Sequence, residues 1–549
     1  MSTISALQQA RLHIKPTLPA VLQENGASAK AVMGETAEPA TDQAKLKELF
    51  PNTYGLPVVT FEGAGDAGQS EPVKVGVILS GGQAPGGHNV IAGLFDGIKA
   101  LNPANELVGF LGGPIGPIKG KYEVLTAEKI DAYRNTGGFD IIGSGRDKIE
   151  TEEQMAAVRD NCKKLGVKAF IVIGGDDSNT NACVLAENFW GDIQVIGCPK
   201  TIDGDLKNDA IQTSFGFDTA CKVYSELISN IQRDALSAKK YWHFIKLMGR
   251  SASHIALECA LQTHPNACII SEEVAAKATT MKQLAEEVAT IVAKRAEAGK
   301  NFGVALIPEG LVEFVPEMKA LIAELNDLMA HHKEAFEAFS SMDDKLQFVN
   351  RHLGAASSQA FSSLPMAIQE QLLNDRDPHG NVQVSRIETE KLLIDMVGDL
   401  LKEWKAEGKF SGKFNALAHF FGYEGRCAPP SNFDTNYCYA LGYNAAALIG
   451  AGLSGYISSV TGLNKAANEW KAGGMPLTAM MNIERRHGED KPVIKKALVE
   501  LDGAPYTYFA ERREAWAMED DYVFVGPIQY FGPAEVCDQP SKTIGFELG

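Results

Sequence analysis

Short apolar runs alternate with stretches of helical period along most of this chain. Val73–Leu79 (VKVGVIL) is the first clear run. It ends in SGGQAPGGHN and is followed by a helical pattern over Val90–Leu101. Glu106–Leu111 (ELVGFL) ends in GGPIGPIKG. Helical patterns near 126–134 and over 151–165, with the loop GGFDIIGSGRDK between them, lead to Val167–Ile173. One more helix leads to Ile193–Cys198. Strands alternating with helices, with glycine-rich turns at strand ends, predict an α/β fold with a doubly wound, Rossmann-like parallel sheet.

A second α/β unit of the same kind begins near 240. Trp242–Met248 ends in GRS before a helix (SASHIALECALQ); Ala267–Ser271 reads as a strand, 279–298 as a long helix, and Phe302–Ile307 as a strand ending in PEG. Residues 312–410 change to long amphipathic helices with a polar break at NDRDPHGN, and a helix rich in small residues covers 435–452. The expected division is an N-terminal extension over 1–70 and a first α/β domain over 71–235, completed by about 427–480. A second α/β domain over 236–311 and 411–426 carries a helical insertion over 312–410. A less regular C-terminal segment covers 481–549. The extension combines a short amphipathic pattern with loose stretches (AVMGETAEPATDQ, FEGAGDAGQSEP) and is expected on the surface or against a partner subunit.

The chain has 549 residues, too many for one ordinary core. A formal charge of −17 argues against a general binder of nucleic acid or anionic membranes, while leaving room for a local basic pocket. The nine cysteines form neither CxxC pairs nor a zinc-ligand spacing, which suits reduced thiols in a cytosol. No stretch approaches a membrane span and the N-terminus lacks an apolar signal core, so a soluble cytoplasmic protein is expected.

Chemistry-bearing residues gather at the predicted strand ends. SGGQAPGGHN offers open backbone N–H groups and a helix N-terminus to an anion, or serves as a tight turn; Gly82 is where bare backbone would lie closest to a ligand. In GGDDSN, Asp176 would project from the strand end toward Mg2+, or Asp176 and Asp177 would cap the next helix. In CPKTIDGD, Asp203 and Asp205 share a loop with Lys200 and Thr201. A carboxylate there suits a general base, and the bland alternative is a solvated Asp-Gly turn. Arg250 of MGRSASHIAL is placed for a phosphate or sugar, or for solvent. Glu309 of PEG would bind sugar hydroxyls or cap a turn. Tyr423–Arg426 sets an aromatic and an arginine in a glycine loop. His254, His419 and His331–His332 lack metal-ligand spacing.

Taken together and in this order, SGGQAPGGHN, GGDDSN, PKTIDGD, MGRSASH, PEG and GYEGR resemble the phosphofructokinase family, in its long pyrophosphate-dependent branch. The resemblance implies reversible, Mg2+-dependent phosphoryl transfer from pyrophosphate to fructose 6-phosphate in glycolysis or gluconeogenesis. By motif position it makes Asp203 the general base, with Thr201, Ile202 and Asp203 on the sugar phosphate and Asp176 on the metal. Gly82, Arg146 and Lys200 fall on the pyrophosphate. Met248, Gly249, Arg250, Glu309, Tyr423, Glu424, Gly425 and Arg426 fall on the sugar. Lys240 and Tyr241 match a place where the family borrows contacts from an adjacent subunit, which implies at least a homodimer. ATP-using relatives tend to carry glycine at the positions of Asp177 and Lys200. A carboxylate at 177 would repel an α-phosphate, and Lys200 would stabilise pyrophosphate and leaving phosphate. The alternatives within the resemblance are an ATP-dependent kinase, a catalytically silent regulatory subunit, and activity on sedoheptulose 7-phosphate.

Overall fold

The run VGVIL strings together side chains that must leave water. In the computed structural model it lies inside a strand whose residues Val75–Ser80 are buried. The structure describes residue 4 and residues 6–65, 71–376, 381–486, 489–528 and 538–549. Parts of FEGAGDAGQSEP (66–70) and NDRDPHGN (377–380), together with Cys537, lie outside the described residues.

The chain forms two compact units. The first comprises Met1–Val223, Tyr423–Ala497 and Ile528–Gly549; the second comprises Tyr224–Gly422 and Leu498–Pro527. In chain order the first unit supplies β1 (Ala29–Thr36), β2 (Pro57–Ala64), β3 (Lys74–Ser80), β4 (Glu106–Phe110) and β5 (Tyr122–Leu125). It continues with β6 (Ser144–Gly145), β7 (Val167–Gly174), β8 (Gln194–Thr201) and β9 (Phe215–Gly216). The second supplies β10 (Tyr241–Leu247), β11 (Ala267–Cys268), β12 (Phe302–Pro308) and β13 (Ala416–Phe421). The first then resumes with β14 (Tyr456–Thr461), β15 (Lys471–Pro476), β16 (Met481–Arg486) and β17 (Glu489–Ile494).

The sheet of the first unit runs β1-β2-β15-β14-β8-β7-β3-β4-β5, with β6 beside β3 and β9 beside β8. Its centre, β14-β8-β7-β3-β4, is parallel. From β3 the chain moves to β4 on one side and later returns to β7 on the other. The order therefore reverses at β3 and β7, and loops leaving their carboxyl ends diverge into a crevice where such sheets bind ligands. Ile78, Phe110, Phe170, Val172 and Val195 form the sheet side of a core closed by Val158, Cys162, Ala182 and Leu185. Helices Gly87–Leu101 and Asn432–Gly450 pack closely because Gly93 and Gly442 lack side chains. A Cβ on Gly93 would collide with Tyr439 O, and one on Gly442 with Val90 O.

The extension is more ordered than its composition predicts. β1 and β2 pair antiparallel, and β2 joins β15, so residues 29–64 widen the sheet. Val59 and Phe61 are the buried face of that alternation. Arg11 is buried as well. It donates from Nε to Asn135 O at 3.0 Å, and from Nη2 to Thr435 Oγ1 at 3.2 Å and to Pro430 O.

In the second unit, β11-β12-β10-β13 is wholly parallel. The helical insertion shares its core: Trp242, Phe244 and Ile307 of the sheet pack in one cluster with Leu321, Leu325, Leu392 and Val397. The last part of the chain contains a hairpin, β16–β17, and a helix over Ala504–Met518 that opens with Pro505 in its first turn. A proline there is a start signal that the irregular apolar pattern obscured.

Candidate active site

Three loops at the carboxyl ends of β3, β7 and β8 build the site in the first unit. After β3, Gly81 takes φ +84°, and the Lys200 Nζ stands 3.2 Å from where a Cβ at Gly81 would be. At Gly82 a Cβ would lie 2.5 Å from Arg426 Nη2 and 3.8 Å from Arg146 Nη2. Arg426 donates from Nε to Gln83 O at 3.4 Å and lies 5.2 Å from the Tyr423 ring centre. The short helix Tyr423–Arg426 thus brings a guanidinium to the loop after β3, with Gly425 buried and Glu424 exposed. One ammonium and two guanidiniums around bare glycine backbone make a cradle for a small, highly charged anion.

After β7, Asp176 and Asp177 occupy the first turn of helix Asp176–Asn188. The N-cap is Gly175, so neither aspartate is the capping residue. The helix dipole favours both carboxylates in that turn. The two differ in setting: the Asp176 side chain is 17% exposed, and the Asp177 side chain is 51% exposed and pairs with Lys148 at 3.6 Å. Burial raises the Asp176 pKa, Lys496 opposes the rise, and Asp177 and Asp205 add to it. Ser178 and Asn179 hold the frame. Ser178 Oγ donates to Ser80 Oγ at 2.8 Å, and Asn179 Nδ2 donates to Gly174 O at 2.6 Å and Cys198 O at 3.3 Å.

After β8, Lys200 is buried, and that burial pushes its ammonium down to about 8. Asp203 works against the shift, Arg426 adds to it, and Asp176 and Asp205 also oppose it. Thr201 Oγ1 accepts from the Asp203 N–H at 3.0 Å, and Thr201 O accepts from Ser214 Oγ at 2.9 Å. Ile202 is buried, which anchors the turn that carries Asp203. Asp205 is buried too, and Lys496 bridges it and Asp176 at 3.6 and 3.5 Å.

In the second unit, the loops after β10 and β12 meet. The Glu309 N–H donates to Leu247 O at 2.9 Å, and Glu309 Oε2 accepts from the Gly249 N–H at 3.1 Å. Gly249 has φ +117°, a conformation that favours glycine, and any side chain at Gly310 would strike Arg250 O. Met248, Gly249, Arg250 and Glu309 therefore form one constructed loop pair, with the Arg250 Nε 3.9 Å from Glu313 Oε2. Lys240 and Tyr241 lie at the opposite end of β10, one strand length away, roughly 20 Å at about 3.3 Å per residue.

Lys496 and Lys148 are the site residues that sequence reasoning missed. Lys496 lies in an unremarkable KKA stretch far along the chain, and only the return of β16–β17 to helix Asp176–Asn188 brings it to the aspartates. No group of three or more His, Cys, Asp or Glu side chains placed for a metal occurs among the described residues. Hard cations such as Mg2+ commonly take one or two carboxylates plus substrate phosphates, and Asp176 with Asp205 fits that donor set. No described helix is long and apolar enough to cross a membrane.

The sequence pattern of the phosphofructokinase family matches residues 74–449. The pyrophosphate--fructose 6-phosphate 1-phosphotransferase of Porphyromonas gingivalis is 56% identical, over 99% of this chain and 99% of its own. The enzyme of that name from Treponema pallidum is 54% identical, over 99% of this chain and 97% of its own. Among solved structures, the pyrophosphate-dependent phosphofructokinase of Nitrosospira multiformis shares the fold, with a TM-score of 0.53 at 15% identity over 85% of this chain and 96% of that one. With strand-end loops in that fold and similarity along its whole length, this chain belongs to the phosphofructokinase family.

Proposed function

We propose that this chain transfers a phosphoryl group reversibly from pyrophosphate to the 1-hydroxyl of fructose 6-phosphate, giving fructose 1,6-bisphosphate and phosphate. The observation that carries the reading is the buried Lys200 ammonium beneath the Gly81–Gly82 loop, with Arg146 and Arg426 beside Gly82. The Porphyromonas gingivalis relative, similar end to end, bears the name of this activity. Phosphoryl transfer needs positioning and charge neutralisation more than covalent chemistry, and this cradle supplies both.

Lys200, Arg146 and the backbone around Gly82 hold pyrophosphate. Asp203, on the turn fixed by Ile202 and Thr201, takes the proton of the sugar hydroxyl, and loss of such a base costs about 10²–10⁴ in rate. Thr201 binds the sugar phosphate. Met248, Gly249, Arg250, Glu309 and the Tyr423–Arg426 segment recognise the sugar, Arg426 having reach to the donor loop as well. Asp176, with Asp205 beside it, would hold Mg2+, which when bound neutralises charge on the phosphoryl oxygens. Asp177 and Lys200 select pyrophosphate: a carboxylate at 177 repels the α-phosphate of a nucleotide. Lys240 and Tyr241 stand too far along β10 from Met248–Arg250 to serve the same chain's loop, so their contribution to the sugar comes from a second copy in a homodimer. The protein works in glycolysis in the cytoplasm.

The test is turnover by the purified chain alone with pyrophosphate or ATP at saturation, in both directions. Pyrophosphate-dependent turnover is expected. Turnover with ATP and none with pyrophosphate would overturn the donor assignment, and none with either donor would favour a silent subunit.

A further inference from the structure

Lys496 stands where backbone bonds on both sides fix it. The hairpin β16–β17 ends with the Ile494 N–H donating to Thr180 Oγ1 at 2.9 Å. The Lys495 N–H donates to Met480 O at 3.0 Å, and the Ala497 N–H donates to Asp205 O at 2.8 Å. Between these anchors the Lys496 ammonium lies 3.5 Å from Asp176 Oδ2 and 3.6 Å from Asp205 Oδ2. The two carboxylates are largely withdrawn from water, at 17% and 5% exposure, so their repulsion needs a cation between them. A divalent cation and an ammonium cannot both stand between the same two oxygens. The lysine side chain is long and flexible, and a polyanion bound nearby would give its charge a new partner.

We propose that Lys496 is a positioning residue. In the metal-free protein it is the resident counter-ion of Asp176 and Asp205, and it yields that place to a divalent cation when pyrophosphate arrives to receive it. Metal and pyrophosphate then bind in mutual dependence: each raises the affinity for the other through one lysine that moves between them. The identity of the anion rests on the function proposed above; the competition between lysine and metal does not.

The experiment titrates Mn2+ into the full-length metal-free chain, following free Mn2+ by electron paramagnetic resonance, with and without imidodiphosphate as a pyrophosphate analogue. The wild type is expected to bind Mn2+ weakly alone and at least about tenfold more tightly with the analogue. Lys496→Met is expected to bind Mn2+ more tightly without the analogue and to lose most of that coupling. Its thermal midpoint should be lower without metal and restored by Mn2+. Equal or weaker Mn2+ affinity in Lys496→Met, with the wild-type coupling retained, overturns the proposal. A second measurement needs no substitution: acylation of Lys496 in the wild type, read by mass spectrometry, should rise when Mn2+ saturates the chain. Acylation indifferent to Mn2+ overturns the proposal as well. If the donor assay fails while Lys496→Met still tightens Mn2+ binding, the proposed reaction falls and the competition stands.

Discussion

Arg426 fills the space that a side chain at Gly82 would need, its Nη2 lying 2.5 Å from where a Cβ would stand. The glycine is thus required by a neighbour, whatever it does for a ligand. Gly82→Ala would push the flexible end of Arg426 aside and leave the sheet intact. Its thermal midpoint is expected to match the wild type, while kcat/KM for pyrophosphate falls about 10²-fold, the usual cost of a misplacement near 1 Å. Steady-state kinetics beside a melting curve check this, and equal kinetics would show that Arg426 adapts without loss.

In the proposed function, Asp177 and Lys200 govern the choice of donor from two neighbouring loops. The double substitution Asp177→Gly with Lys200→Gly is expected to lower kcat/KM for pyrophosphate by about 10²-fold or more. It should also admit ATP, since the carboxylate that repels an α-phosphate is gone. Competition kinetics with ATP and pyrophosphate measure the switch; unchanged pyrophosphate kinetics would remove both residues from donor selection.

Burial holds the Lys200 ammonium at about 8, against an ordinary value of 10.5. In the unliganded protein the charge proposed to capture pyrophosphate is therefore lost as pH rises through about 8. The pH profile of kcat/KM reports the free enzyme, so it should fall on that alkaline limb, and Lys200→Arg should move the limb upward. Stability runs the other way. Between about pH 8 and 10.5 the unfolded chain holds this proton and the folded chain does not, so the contribution of this group rises with pH.

Arg513 grips Glu273 with two hydrogen bonds, from Nη1 at 2.7 Å and from Nη2 at 2.9 Å. Burial alone would raise the Glu273 pKa, but Arg513 and Lys277 outweigh it and bring the carboxyl to about 2, against an ordinary 4.5. The stability this gives is complete above about pH 4.5 and is lost as pH falls toward 2. Arg513→Ala is expected to cost about 1–3 kcal/mol at pH 7, reduced by the partial exposure of the arginine. It should also flatten the acid limb of a denaturation series; a limb of unchanged slope would place the acid sensitivity elsewhere.

The parallel architecture was legible because its strands are long apolar runs closed by glycine turns, and Val167–Gly174 with GGDDSN shows both signals in one stretch. Asp176, Lys200 and Asp203 were legible for the same reason: a strand end fixes where its next residues stand. β1 and β2 were not, since half of each faces outward in a polar, glycine-rich composition that also suits a loop. Lys496 left no local trace, because its meaning depends on a hairpin returning to helix Asp176–Asn188. The reach of Arg426 to Gly82 was hidden likewise, its loop being joined to the cradle through space and not through sequence.

Thr435, one of the acceptors of Arg11, comes 424 positions after it in the chain. At about 5–20 residues per second the arginine waits roughly 20–85 s for that partner. Through that interval Arg11 has Asn135 within reach but not this acceptor, while the whole run from Tyr224 to Gly422 emerges and has time to collapse on its own sheet. The buried guanidinium is therefore a latch that closes late, after the strands of the second unit have already emerged.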